Sequence, residues 1–583
     1  MNTITRNELK KLIAVASGKE AADLLIVNGI VSDVYSGKFI EADLAVCGGR
    51  IAAFGGRGVF KGNEVIDAGG QYLLPGFIDS HIHIESSFLS PPELSRLLVP
   101  HGASVIIADP HEIVNVCGLA GLNYMLESSQ GLPLDIKLMA PSCVPCTPFE
   151  HAGATLGADT LAKPLADERI LGLGELMNCP GVISGSDDVL DKIIAALKNG
   201  KVIDGHSPGI NGLDLCAYAA GSIHTDHECS SVADMQRRIE LGMYILLRQG
   251  SACHDLRNLI PGITGQNSRR CLICSDDLQP RTIFEKGHID NNLRICIEEG
   301  MDPMTAVRMA TLNAAECYGL KDRGSFAPGS RADIVMVNNL RDFKVSRVFS
   351  KGILSAENGQ YLFKNPPSAD DSSVRGSFHV TDFSVKRLVM PLKTENVQVI
   401  DLKPGTVVTG KGSGQVNRNS AGNFIFDKSN GIAKIAVVER HQGTGNVGLG
   451  LIRGYGIQEG AISISVAHDS HNIIVVGTND ADMASAVDKI ISMGGGAVLV
   501  KNGAVLEEMP LPLGGIMSDR NGEWVCEKLT ALQEMAFREL GVNREIDPLM
   551  SLCFMSLPVI PFLKITDMGL FDFASFNFIE VNS

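Results

Sequence analysis

Two histidines one residue apart, His81 and His83, follow a short apolar run and have the spacing of a pair of metal ligands. Residues i and i+2 of a β-strand point to the same side, so both imidazoles can face one cation. Side chains of the same kinds end four later apolar runs, at Glu175, His206, His227 and Asp276. Imidazole and carboxylate ligands suit zinc, iron or manganese. The sequence therefore predicts a site for one or more of these ions.

Strand-like and helix-like patterns alternate between residues 73 and 325, which is typical of a parallel α/β architecture. Eight apolar runs count as strands, and they end near His83, Asp109, Ser142, Leu176, His206, Glu228, Gly250 and Asp277. Eight strands in about 250 residues predict a (β/α)8 barrel of the TIM type. Active sites of such barrels lie at the carboxyl ends of the strands, where all the candidate ligands fall.

The barrel is expected to interrupt a small β domain. Residues 22–72 and 330–364 share short apolar strands separated by glycine-rich breaks, so we expect both segments to form one composite β-sandwich. The last third of the chain mixes strand-like runs with helices and does not repeat the barrel pattern. The predicted division is a β domain from 1–72 and 326–368, a barrel from 73–325, and a C-terminal α+β domain from 369–583.

Composition excludes several classes of function. The chain has 583 residues and a net charge of −15, which does not supply the basic surface that a nucleic-acid backbone requires. No apolar run approaches the roughly 20 residues of a membrane helix. The run at Leu12–Ala16 is too short for the core of a signal peptide. We expect a cytoplasmic protein, a homodimer, that binds a small molecule and neither nucleic acid nor a membrane.

Longer motifs surround the candidate ligands and continue into the last third of the chain. They are LPGFIDSHIH (74–83), HIHIESSFLSP (81–91), ADPHEI (108–113), GLGELMN (172–178), DGHSPG (204–209), HTDHE (224–228), SDD (275–277), ERHQGTGNVGLG (439–450) and SVAHDSHNI (465–473). Together these motifs resemble the amidohydrolase superfamily and, within it, the adenine deaminase family. The resemblance covers nearly the whole chain and implies hydrolysis of adenine to hypoxanthine and ammonia.

The resemblance also implies roles for the site residues. The positions that match a binuclear Mn²⁺ or Fe²⁺ centre, for which Zn²⁺ also suits the ligand types, are His81, His83, Glu175, His206, His227 and Asp276. The metals would lower the pKa of a bound water, and the resulting hydroxide would attack C6 of adenine. Asp276 would take the proton and pass it to the leaving amine. Glu175 and Glu228 are both candidates for protonating the purine ring.

Further polar residues lie close to these positions. Glu85 and Ser86 follow the first strand, and Asp109 and His111 close the second. They could hold the edge of adenine or support the metal ligands, although Glu85 and Ser86 could equally be loop caps. The run His468–His471, which reads HDSH, is interpreted as part of a loop that covers the barrel mouth as a lid.

Other functions are distinguished by particular residues. A hydrolase of the same superfamily that acts on a cyclic amide or an N-acetyl amino sugar is the alternative, but hydantoinase-type members bridge their metals with a modified lysine where this chain has Glu175. A non-catalytic barrel would be expected to lose ligands. The zinc nucleobase deaminase signature fails, because Ser142 rather than proline precedes Cys143. The GxGxxG run at 443–448 is followed by a strand-like segment instead of the helix that a dinucleotide site requires.

Overall fold

The computed structural model describes residues 4–364 and 369–582. Its central part is a series of parallel strands, which are Phe77–His83, Ala103–Ala108, Asp135–Ala140, Ile170–Leu176, Val202–Gly205, Thr225–Asp226, Tyr244–Arg248 and Cys271–Cys274. Helices follow these strands along the chain, so the strands are covered and read as nearly continuous apolar runs. The longer helices of this part are Pro91–Leu98, His111–Ser128, Ala158–Ala166, Asp187–Lys198, Gly212–Ala220, Val232–Glu240 and Ile289–Glu298.

The eighth strand joins the two ends of the series. Cys271–Cys274 pairs in parallel with the seventh strand, and Asp276–Asp277 then pairs in parallel with Ile82 and His83 of the first. The fifth and sixth strands meet where the His224 N–H donates to the carbonyl oxygen of Ile203 at 2.9 Å. The expected α/β barrel of the TIM type is confirmed, and its strands end at one mouth.

One sheet combines strands from both sides of the barrel in the chain. It contains Ala22–Asp33, Lys38–Cys47, Arg50–Gly55, Gly62–Asp67, Tyr72–Pro75, Ile334–Val337, Val345–Ser350, Ile353–Glu357 and Gln360–Tyr361. The two segments meet where Tyr72–Pro75 pairs antiparallel with Ile334–Val337. Both segments therefore contribute strands to this sheet, and the predicted boundary at residue 368 lies outside the described residues.

The C-terminal region is built on an eight-stranded mixed sheet. Its strands are Asn396–Asp401, Gly410–Gln415, Ile432–Val438, Val447–Arg453, Ala461–Ile464, Ile473–Gly477, Gly496–Lys501 and Ala504–Pro510. Two long helices, Asp480–Met493 and Gly522–Glu539, accompany it, and a small sheet of Leu563–Thr566, Gly569–Asp572 and Asn577–Phe578 follows. The GxGxxG run leads into the strand Val447–Arg453, as expected from the sequence.

A continuous apolar core connects the barrel to the C-terminal region. It includes Phe77 and Leu173 of barrel strands together with Ile435 and Leu563 of the C-terminal sheets. The barrel and the C-terminal region therefore share one buried core and pack directly against each other. Among the described residues, no helix combines the length and the apolarity needed to cross a membrane.

Candidate metal centre

The two histidines of the first strand face the interior of the barrel together. His81 and His83 are buried, and their Nε2 atoms lie 3.2 Å apart. Nδ1 of His83 lies 3.1 Å from the carbonyl oxygen of Asp109, to which it can donate its proton. In a neutral ring this bond leaves Nε2 unprotonated, which is the form of imidazole that binds a metal.

Glu175 lies between two pairs of histidines. Its Oε1 atom is 3.6 Å from His83 Nε2, and its Oε2 atom is 3.8 Å from His81 Nε2. Oε2 is also 3.1 Å from His206 Nδ1 and 2.9 Å from His227 Nε2. The fourth, fifth and sixth strands thus bring their end residues to the histidines of the first. One carboxylate reaches both pairs, as a carboxylate shared by two cations would.

Asp276 faces the first strand from the eighth. Its Oδ1 atom lies 3.2 Å from His83 Nε2 and 3.8 Å from His81 Nε2. Asp276 has a φ of 61°, in the left-handed region that aspartate adopts more readily than most residues. This conformation occurs where the eighth strand leaves the seventh and joins the first, so the local backbone directs the carboxylate into the site.

The donor atoms fit a pair of divalent metal ions. Two sets of three buried donors, each within 4.8 Å of one another, share Glu175: one set adds His81 and His83, the other His206 and His227. Ring nitrogens face each other at 3.2 Å in the first set and 3.1 Å in the second. Facing lone pairs and buried carboxylates are unfavourable unless positive charge lies between them. Two divalent cations would supply that charge to ligands of suitable type.

Arg248 is a site residue that was not predicted from the sequence. It ends the seventh strand and is buried. Its guanidinium donates to Glu228 Oε1 at 2.5 Å, to Asp276 Oδ2 at 3.2 Å and to Asp255 Oδ2 at 3.0 Å. Its position at the end of a barrel strand could have marked Arg248 as a site residue. It was not among the candidates because a cationic side chain does not bind a metal ion.

Glu228 lies between Arg248 and the second pair of histidines. Its Oε1 atom is 3.4 Å from His206 Nδ1 and 3.3 Å from His227 Nε2. Burial favours the neutral carboxyl, but the guanidinium of Arg248 and the imidazole of His206 outweigh burial and lower the pKa of Glu228. Glu228 is therefore a charged group next to the proposed ligands.

Asp109 and His111 contact the predicted ligands directly. Asp109 Oδ2 accepts the backbone N–H of Glu175 at 2.9 Å, in addition to the carbonyl contact with His83. His111 Nδ1 lies 3.3 Å from Glu175 Oε1, and its ring packs edge-on against His83 with centroids 4.7 Å apart. The structure therefore brings both residues into contact with His83 and Glu175, two of the six ligand candidates.

Glu85 and Ser86 occupy different surroundings. Glu85 Oε1 accepts the N–H of Ile113 at 3.1 Å, and burial raises the pKa of Glu85 to about 7. Ser86 Oγ donates to Asp277 Oδ1 at 2.5 Å. Glu85 thus contacts the start of the helix His111–Ser128, whereas Ser86 contacts the neighbour of Asp276. Within the described residues, no hydrogen bond or ion pair joins Glu85 to the six ligand candidates.

The run His468–His471 lies against the barrel. His468 Nδ1 and His471 Nε2 each contact one carboxylate oxygen of Glu112, which begins the second barrel helix with His111. Asp469 Oδ1 is 3.8 Å from His111 Nε2. This run of the C-terminal region therefore reaches the residues beside the candidate metal centre, and it is buried there. Opening of the run as a lid stays a prediction.

Comparison with known families matches two parts of the chain. Residues 72–354 match the amidohydrolase family, and residues 406–577 match the adenine deaminase C-terminal domain. The first match contains every candidate ligand, and the second contains the run His468–His471. Both parts of the proposed site therefore lie in segments with recognised relatives.

Several relatives are similar to this chain along its full length. The chain is 54% identical over 580 residues to "Adenine deaminase 2" of Desulfotalea psychrophila, with 100% of both chains covered. It is 50% identical to "Adenine deaminase" of Nitratidesulfovibrio vulgaris, over 98% of this chain and 99% of the relative. It is 46% identical to "Adenine deaminase" of Ligilactobacillus salivarius, over 97% and 98%. With the barrel and its cluster of metal-ligand side chains, this similarity shows that the chain belongs to the adenine deaminase family of the amidohydrolase superfamily.

Proposed function

We infer that this protein is a metal-dependent adenine deaminase that hydrolyses adenine to hypoxanthine and ammonia. The observation that carries the inference is the similarity to adenine deaminases along the whole chain. In the reaction a water oxygen forms a bond to C6, the bond between C6 and the exocyclic nitrogen breaks, and ammonia leaves. The site must therefore activate a water, protonate the ring and protonate the leaving amine.

The proposed metal ligands are His81, His83, Glu175, His206, His227 and Asp276. Manganese or iron is the proposed native metal, and zinc suits the same donors. A pair of these ions held by the six residues would lower the pKa of a bound water, so that hydroxide would be present at neutral pH. The support is the pair of donor sets that share Glu175.

Asp276 is the proposed general base and then general acid. Its Oδ2 atom is held by Arg248, which leaves Oδ1 directed at the histidines of the first strand. Asp276 can therefore take the proton of a water at Oδ1 and return it to the departing amine. Proton transfer by a positioned carboxylate contributes typically about 10²- to 10⁴-fold to a rate.

Glu228 is the stronger candidate for protonating the purine ring. Both oxygens of Glu175 face imidazoles of proposed ligands, so neither is available to the substrate. Glu228 uses Oε1 for Arg248, His206 and His227, while its Oε2 has no hydrogen-bond partner among the described residues. Because Arg248 keeps Glu228 ionised, this carboxylate would first accept the second proton of the attacking water and then deliver it to a ring nitrogen.

The test follows adenine absorbance and ammonia release by protein purified with Mn²⁺ or Fe²⁺. We expect metal-dependent turnover by the wild type and a loss of about 10²- to 10⁴-fold in Asp276→Asn. Asp255→Asn is the matched control, because Asp255 also binds Arg248 but has no contact with the ligand histidines in the described structure. Metal-loaded protein that leaves adenine unchanged would show that the substrate is wrong, and cyclic amides and N-acetyl amino sugars would be assayed next.

Three further expectations stay predictions. The division into 1–72 with 326–368, 73–325 and 369–583 is supported by the sheet that combines strands from both sides of the barrel. The homodimer and the cytoplasmic location rest on the sequence alone.

A further inference from the structure

Glu112 binds two histidines that come from a distant part of the chain. His468 and His471 each contact a different oxygen of its carboxylate, and all three side chains are buried. The three donors lie within 4.8 Å of one another, as the ligands of a metal would. The hydrogen bonds of the two histidines decide what this cluster does.

His471 uses both of its ring nitrogens within the protein. Nδ1 accepts the backbone N–H of Ala467 at 3.1 Å, so the proton of the neutral ring is on Nε2 and is donated to Glu112. A metal on Nε2 would move that proton to Nδ1, where it would face the N–H of Ala467. The cluster is therefore a hydrogen-bonded clamp between the C-terminal region and the barrel, and His471 is a structural part of it.

His468 uses only one ring nitrogen. Nδ1 contacts Glu112, and no hydrogen bond of Nε2 is found among the described residues. About 9% of the His468 side chain is exposed, against 1% for His471, so the ring of His468 borders accessible space. The ring stacks on Phe554 with centroids 4.6 Å apart, which fixes its orientation. His468 thus presents one free nitrogen from a rigid position.

The ring of His468 lies beside residues of the barrel mouth. The Glu112 oxygen that contacts His468 is also 3.5 Å from His111 Nε2, and His111 Nδ1 is 3.3 Å from Glu175. Burial lowers the pKa of His468, but the nearby carboxylates of Glu112, Asp277 and Asp469 raise it to about 9. His468 is consequently a cation with an N–H on each ring nitrogen at neutral pH.

We propose that His468 binds the substrate by donating its Nε2 proton to a ring nitrogen of adenine, so that the C-terminal region completes the substrate site. The inference rests on the proposed function, because the ring nitrogens of a purine are the acceptors that it requires. It also gives the C-terminal region a direct part in substrate recognition, through one residue that Glu112 and Phe554 hold in place.

Amide substitutions separate the two nitrogens of His468. In His468→Asn the amide nitrogen takes the place of Nδ1, so the contact with Glu112 is kept and the Nε2 donor is lost. In His468→Gln the amide nitrogen takes the place of Nε2, so the donor is kept. His471→Gln is the matched control, because it keeps the Nε2 contact with Glu112 and removes only the acceptor for Ala467. Circular dichroism and metal content establish that each variant is folded and loaded.

For adenine we expect His468→Asn to raise KM by about 10- to 100-fold, as for the loss of a hydrogen bond from a charged donor, with a smaller change in kcat. His468→Gln should recover part of this loss. His471→Gln should lower the unfolding temperature and leave KM within about twofold of the wild type. If His468→Asn does not fold, a wild-type KM in folded His468→Gln supports the proposal, and a KM as high as that of His468→Ala overturns it.

Deaza analogues identify the contact independently. Of 3-deazaadenine and 7-deazaadenine, the analogue that lacks the contacted nitrogen should bind more weakly than adenine to the wild type. Its affinity should not fall further in His468→Asn. A wild type that deaminates adenine, with an unchanged KM in folded His468→Asn, overturns this inference alone. A metal-loaded wild type that leaves adenine unchanged overturns the proposed function, and the inference falls with it.

Discussion

At the scale of single residues, Arg248 joins catalysis to stability. Its guanidinium is the shared partner of Glu228, Asp255 and Asp276. Arg248→Met should lower the free energy of unfolding by about 3–5 kcal/mol, because buried carboxylates lose their cation. It should also lower kcat by about 10²-fold, because Asp276 is no longer oriented. Urea unfolding and steady-state kinetics of metal-loaded protein measure the two effects.

Arg331→Met provides the control for Arg248→Met. Arg331 is also buried and binds two carboxylates, Asp135 and Asp333, but Asp135 begins the third strand at the opposite end of the barrel. Arg331→Met should lower the free energy of unfolding and leave kcat equal to that of the wild type. An unchanged kcat in Arg248→Met as well would show that Arg248 is only a structural residue.

The sequence predicted the residues with a chemical signature better than those that support them. His81 and His83 could be found because the spacing of two residues on a strand is itself informative. Arg248 could not, because its role depends on three carboxylates that only the barrel brings together. Likewise, nothing local indicates that His468 meets Glu112, which lies 356 residues away in the chain.

At the scale of elements, the helix His111–Ser128 depends on a glycine at an interruption in its interior. Gly118 interrupts this helix with φ 57° and ψ −143°, a backbone conformation that side chains disfavour, and an added Cβ would lie 3.2 Å from that of Ala154. Gly118→Ala should therefore lower the free energy of unfolding by about 1–3 kcal/mol. Gly200→Ala should cost less, about 1 kcal/mol, because Gly200 has a φ of 64° and open space around it. Equal midpoints of urea unfolding for both variants would contradict this explanation.

Element positions were more predictable than their pairing. Strands of a barrel are apolar on both faces, so each gives a continuous run, and the predicted ends agree with Phe77–His83 and Ile170–Leu176. The composite β-sandwich was expected from composition and glycine breaks, which carry no information about partners. The pairing of Tyr72–Pro75 with Ile334–Val337, which brings strands of both segments into one sheet, is visible only in the structure.

At the scale of the whole molecule, one buried lysine should make its own contribution to how stability depends on pH. Lys564 lies inside the C-terminal region, where its Nζ donates to the carbonyl oxygens of Val407 and Phe554 at 2.9 and 3.0 Å. Burial lowers the pKa of Lys564 to about 7, from the usual lysine value of 10.5. Between these two values the unfolded chain binds a proton that the folded chain does not. The contribution of Lys564 to the free energy of unfolding therefore rises with pH in this window, by up to about 1.4 kcal/mol per pH unit.

Lys564→Met removes this titration and fills the same space with an apolar side chain. We expect the free energy of unfolding of the wild type to rise relative to that of Lys564→Met as the pH increases from 7 to 9, because all other titrating groups are common to both proteins. Urea unfolding at pH 7, 8 and 9 measures the difference. Lys198→Met is the control, because Lys198 is exposed at the end of the helix Asp187–Lys198. Its free energy of unfolding should differ from that of the wild type by the same amount at every pH. Parallel curves for Lys564→Met would mean that its ammonium group reaches water in the folded protein.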